Sequence, residues 1–73
     1  MKVLQEPTSK LADNVKRYRK AKGLSQEKLA QEAGITYSTL TKIEAGYNTN
    51  PKVLSLARIA KALDVTVTDL LGM

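Results

Sequence analysis

From Thr36 to Ala45 the chain reads Thr-Tyr-Ser-Thr-Leu-Thr-Lys-Ile-Glu-Ala. On a helix turning about 100° per residue, Thr36, Thr39, Leu40 and Ile43 gather on one side, and Tyr37, Ser38, Thr41, Lys42 and Ala45 on the other. The second side is a row of hydrogen-bonding groups with one cation. Lys42 can donate to O6 and N7 of guanine, and Ser38 and Thr41 can bond either way. The Thr41 methyl can meet a thymine methyl, and Tyr37 offers a ring and one hydroxyl. This is chemistry for reading base edges in a major groove. The same residue types also make an ordinary solvated helix face, so the surroundings must decide.

Contacts to phosphate and sugar take half or more of the hydrogen bonds in protein–DNA complexes. Gln26 opens the preceding helix, where unpaired N–H groups and the positive dipole end favour a phosphate. Thr36 opens the 36–45 segment, Tyr47, Asn48, Thr49, Asn50 and Lys52 flank it on the loop side, and 46–50 contains no acid. They suit phosphate anchoring, and Asn and Gly equally well build a plain turn. Arg19, Lys20 and Lys22 are expected to add long-range attraction.

Composition removes the competing chemistries. The 73 residues include no Cys and no His, which excludes a disulfide framework, thiolate or imidazole metal ligands, and a cysteine or histidine in catalysis. No spacing builds a Ser–Lys pair, paired carboxylates or a Gly-rich phosphate loop. No enzyme activity, metal or cofactor is expected. No apolar run approaches the roughly 20 residues of a membrane span, and residues 1–9 have no apolar signal core. The expectation is a soluble cytoplasmic protein of one domain.

Lys and Arg number 12 against 7 Asp and Glu, a net charge of +5. Lys10, Lys16, Arg17, Arg19, Lys20 and Lys22 fall within thirteen residues with Asp13 as their one acid, whereas 63–73 holds Asp64 and Asp69 and no base. A small basic domain suits a polyanionic partner.

The elements that must position these groups are helical. Apolar spacing predicts helix one from about Ser9 to Lys22, capped by Thr8 or Ser9 and stopped at Gly23. Helix two runs from Ser25 to Ala33, and helix three from Thr36 to Ala45 with Gly46 after it. Helix four begins near Asn50 and Pro51 and reaches Leu63, with Val53, Leu56, Ala57, Ala60 and Leu63 inward and Leu54 and Ile59 widening the stripe. Helix five is short, opened by Thr66 and Asp69 as a capping box. Residues 1–8 form an N-terminal arm, extended over Met1 to Leu4, and 9–73 form the domain.

Helices two and three make one unit. Two helices crossing steeply through a tight turn need a small residue at the close approach, a residue tolerant of positive φ in the turn, and a plug after it. Ala30, Gly34 and Ile35 answer these demands, and Leu29, Ala33, Leu40 and Ile43 supply the inner faces.

At these positions the chain resembles the phage-repressor and Cro-type helix-turn-helix family, also called the xenobiotic-response-element type. The resemblance is carried by Arg17-Tyr18-Arg19, by Lys22 to Ala30, by Ser38 to Gly46 and by Leu56 to Val65, and covers about Leu11 to Leu71. It implies an all-α, compact five-helix repressor-like domain that binds double-stranded DNA as a transcriptional regulator, most simply a repressor occluding a promoter. It places base contacts at Tyr37, Ser38, Thr41 and Lys42 and a phosphate or sugar anchor at Gln26. It pairs Arg19 with Glu44 as a structural bridge, since both sit at the edge of the packed side. Several phage repressors read bases with Gln on this helix. Here there is none, so no operator sequence transfers.

The resemblance further implies a homodimer on a palindromic operator with half-sites about 34 Å apart. Val65, Val67, Leu70, Leu71 and Met73, in the least basic part of the chain, are the candidate interface, or else they simply cap the five-helix core. The arm at Met1 to Leu4 is a weaker candidate for pairing with its copy. Short members of the family often sit beside a toxin or restriction system, so the alternative function is an antitoxin-like protein-interaction partner that also binds DNA. From a length of 73 residues, no ligand-sensing or dimerising second domain is expected.

Overall fold

The structure, a computed structural model, describes residues 10–73. The expected arm over 1–8 and the Thr8 or Ser9 cap lie outside the described residues. Within them the chain forms α1 (Lys10–Ala21), α2 (Gln26–Ala33), α3 (Tyr37–Glu44), α4 (Val53–Leu63) and α5 (Val67–Leu71), with no strand among the described residues.

Each helix turns one apolar stripe inward. Val15 of α1, Leu29 of α2, Leu40 and Ile43 of α3, Ile59 of α4 and Leu70 of α5 are essentially fully buried and meet at the centre. Complete burial of such side chains contributes about 1.5–3 kcal/mol each before the cost of ordering the chain. α2 packs across α3 and α4, and α1 spans the back against α3, α4 and α5.

The helix ends are closed by specific chemistry. Ser25 Oγ accepts the Lys28 N–H, and Thr36 Oγ1 accepts the Thr39 N–H. Gly34 ends α2 at φ +71°, and the Ile35 N–H returns to the Ala30 carbonyl at 3.0 Å. A β-carbon on Gly34 would meet nothing within 4 Å, so the position calls for glycine by its backbone angle and not by crowding. Thr66 and Asp69 exchange reciprocal 3.0 Å bonds, the capping box that opens α5.

Side chains from α1 and the turn after it fasten the distant ends. Asn14 Nδ2 donates to the carbonyls of Leu70 (3.1 Å) and Asp69 (3.4 Å). Lys22 Nζ donates to the Ala62 carbonyl at 2.9 Å and to Asp64 Oδ2 at 2.8 Å. Asp64 closes α4 at φ +59°, the one left-handed non-glycine residue described.

Two expectations are corrected. α4 starts at Val53 with Lys52 as its N-cap, not at Asn50 and Pro51, and Pro51 is buried. Its inward stripe is Leu56, Ile59, Ala60 and Leu63, an i, i+3, i+4, i+7 row. Val53 and Ala57 lie to one side of that row, and both are exposed, Val53 by 78%. At the C-terminal end, Leu70 belongs to the core and cannot face a partner. Thr66 caps α5 so that Val67 and Leu70 share its inner side. Val65, Val67 and Leu71 are half-buried against the same core, and Met73 alone of the five stands out, at 87% exposed. No helix of the described residues is long and apolar enough to cross a membrane.

Candidate nucleic-acid interface

α3 presents its outer side as a short polar ridge. Ser38 and Lys42 are exposed, Tyr37 is half exposed at the first helical position, and Thr41 is half-buried with Oγ1 donating to the Ser38 carbonyl at 3.0 Å. The helix is held from behind by Leu40 and Ile43, so the ridge stands away from the core. Thr36 Oγ1 accepts the Thr39 N–H and donates to Thr39 Oγ1 at 2.8 Å. Its hydroxyl is thereby engaged in capping, which leaves the side chain little to offer a phosphate.

The loop after α3 is built by local bonds. The N–H groups of Tyr47 and Asn48 both reach the Lys42 carbonyl, and Asn48 Oδ1 accepts the Asn50 N–H at 3.1 Å. Asn48 therefore does turn work, while Tyr47, Thr49, Asn50 and Lys52 are exposed around it. Tyr47 is 86% exposed.

Beneath the ridge lies a buried charge pair. Glu44, the last residue of α3, is the one buried charged residue described. Arg19 Nε donates to Glu44 Oε2 at 2.7 Å and Arg19 Nη2 to Oε1 at 3.0 Å, a two-pronged bridge from α1 to α3. Arg19 Nη1 donates to the Leu24 carbonyl at 2.8 Å. Their side chains are 11% and 2% exposed. Both charges are thus largely desolvated but hydrogen-bonded, Arg19 through three bonds, the condition under which a buried pair is tolerated.

Gln26 joins this pair to the ridge. Its Nε2 donates to Glu44 Oε1 at 3.0 Å, and Tyr37 Oη donates to Gln26 Oε1 at 3.4 Å. Four residues from three helices therefore form one chain of bonds, Arg19–Glu44–Gln26–Tyr37. The sequence marks Gln26 as a surface anchor and misses its inward bond, because 18 residues separate it from Glu44 and only the crossing of α2 over α3 joins them. Of the three cations expected to attract at long range, Arg19 is matched by Glu44 and Lys22 by Asp64, which leaves Lys20 exposed.

Two crossed helices, a glycine turn and an outward polar ridge agree with a sequence model of the helix-turn-helix family (HTH_3), which matches residues 15–70. The chain belongs to the helix-turn-helix family. Among its relatives, the HTH-type transcriptional regulator SinR of Bacillus licheniformis is 41% identical over 62 residues, 85% of this chain and 56% of SinR. The chain spans about half the length of the curated SinR relatives it matches. The crystal structure of SinR, described as the master regulator for biofilm formation, in complex with DNA superposes at a TM-score of 0.81 with 41% identity, covering 84% of this chain and 97% of that one. The complex of SinR with the SinI protein superposes equally well, at 0.81 and 41%, covering 84% of this chain and 59% of that one. Within this helix-turn-helix unit, α2 is the first helix and α3 the second.

Proposed function

We propose that the chain is a sequence-specific double-stranded DNA-binding transcriptional regulator that reads the major groove with α3. The observation that carries this reading is the ridge itself. Tyr37, Ser38, Thr41 and Lys42 stand outward on a helix anchored by Leu40, Ile43 and the Arg19–Glu44 pair. The SinR–DNA complex supports it, because 41% identity and a TM-score of 0.81 cover 97% of that chain. Lys42, Ser38, Thr41 and Tyr37 take the base edges. Gln26, Tyr47, Thr49, Asn50 and Lys52 take the phosphates, and Asn48 shapes the loop that presents them. The protein acts in the cytoplasm as a repressor, bound as a homodimer to a palindromic operator, since one short helix spans only a few base pairs.

The test is selection of duplexes from sheared genomic DNA by the purified chain at moderate salt, followed by sequencing. Two short half-sites in inverted order support a dimeric reader, and uniform retention without a motif contradicts it. A second reading, a protein-interaction partner that also binds DNA, is favoured by the match to the SinR–SinI complex. One protein recovered in stoichiometric amount from the host by the tagged chain would support it.

A further inference from the structure

We infer that Glu44 fixes the hydrogen-bond polarity of the recognition helix's first residue, so that Tyr37 reads an amino-bearing base, adenine or cytosine, in the major groove. The inference rests on the DNA-reading function proposed above and adds a specificity to it. Both carboxyl oxygens of Glu44 act as acceptors, Oε1 from Arg19 Nη2 and Gln26 Nε2 and Oε2 from Arg19 Nε. Its Oε1 faces Gln26 at 3.0 Å and its Oε2 faces Arg19 Nε at 2.7 Å. The amide of Gln26 must therefore point its NH2 group inward, because the flipped amide would set oxygen against oxygen. That orientation sends Oε1 outward to Tyr37, where the phenolic hydroxyl is the available donor at 3.4 Å. A hydroxyl has one hydrogen and two lone pairs. With its hydrogen directed to Gln26, Tyr37 Oη offers the solvent side lone pairs alone.

The consequence is chemical selection. Phosphate oxygens only accept, so Tyr37 Oη gains nothing by facing the backbone. In the major groove adenine N6 and cytosine N4 donate, whereas guanine O6 and thymine O4 accept. On the strand facing Tyr37, the preferred base therefore carries an amino group and the disfavoured base a keto group. Arg19, Glu44 and Gln26 are positioning residues for base reading here, and of the four Tyr37 alone touches a base. Gln26 keeps its second amide hydrogen for a phosphate, so the two roles coexist.

The test compares duplex selection by the wild-type chain, Tyr37→Phe and Gln26→Met, with thermal melts to show that each variant is folded. Both leave the Arg19–Glu44 pair in place, unlike a change at Glu44. For the wild type, one half-site position favours adenine and cytosine over guanine and thymine by about fivefold, the worth of one net hydrogen bond. Tyr37→Phe flattens that position and leaves the others. Gln26→Met releases the Tyr37 hydrogen, and guanine and thymine become accepted there, a change that a merely structural role would not produce. A Tyr37-dependent position enriched in guanine or thymine overturns the inference, as does a motif that Tyr37→Phe leaves unchanged. Failure of the wild type to select any motif overturns the DNA-reading function as well.

Discussion

Gln26 Nε2 donates to Glu44 Oε1 across 3.0 Å, so the first residue of α2 is tied to the last residue of α3. The helix crossing is thus fixed by polar chemistry at the outer ends as well as by Ala30, Leu40 and Ile43 near the core. Because Arg19 binds the same carboxylate from α1, one buried charge holds three helices in register.

Glu44→Ala is therefore expected to destabilise the fold by about 3–5 kcal/mol, since it strands the Arg19 guanidinium in a site that is nearly closed to water. Chemical denaturation measures it. Because a domain of this size has a total stability of roughly 5–15 kcal/mol, the variant is expected to be partly unfolded at 37 °C. An unchanged midpoint would assign the pair no structural weight.

Lys42→Ala is expected to do the reverse. Lys42 is exposed on the outer side of α3, so stability should stay within about 0.5 kcal/mol of the wild type. Affinity for a selected duplex should drop about tenfold. Paired melts and fluorescence anisotropy separate the two effects, and a large loss of stability would mean that the inner and outer sides of α3 are reversed.

Gly34→Ala should cost about 1 kcal/mol through its φ of +71° alone, because no atom lies near the added β-carbon. Urea unfolding checks this. A cost several times larger would point to crowding in the turn that the geometry does not show.

Acid should loosen the C-terminal half first. Asp64 is held below the usual carboxylate range mainly by its hydrogen bond from Lys22 and then by that ammonium's charge, and Asp69 mainly by the Thr66 backbone N–H. A carboxylate lowered in the fold adds stability when ionised. That stability is complete above its unfolded value and fades as pH falls through its folded value. The melting temperature should therefore hold level above about pH 5 and decline below about pH 4. Asp69→Asn should flatten part of the decline, as differential scanning calorimetry across this range would record.

Much of this architecture is legible in the chain because local rules act alone. The Ser25, Thr36 and Thr66 caps and the Gly34 turn follow from residue type, and the stripes of α2 and α3 follow from period. The beginning of α4 is less legible. Asn50 and Pro51 carry a good start signal, but Asn48 takes the Asn50 N–H into a turn and Pro51 packs inward. The C-terminal residues show the limit of composition. Leu70 and Met73 are both apolar and three residues apart, yet one is wholly buried and the other 87% exposed. The Arg19–Glu44 bridge enters the sequence reading through family resemblance, and the Gln26 link is invisible there because it exists only across the helix crossing.

The most direct test of the central claim is a titration of the isotope-labelled chain with its selected duplex, followed by backbone and side-chain amide shifts. The largest changes are expected at Gln26 and at Tyr37 through Lys42, with smaller ones over Tyr47 to Lys52 and little along α5. Changes concentrated on the outer side of α1 or on α5, with α3 silent, would contradict the assignment of α3 as the reading helix.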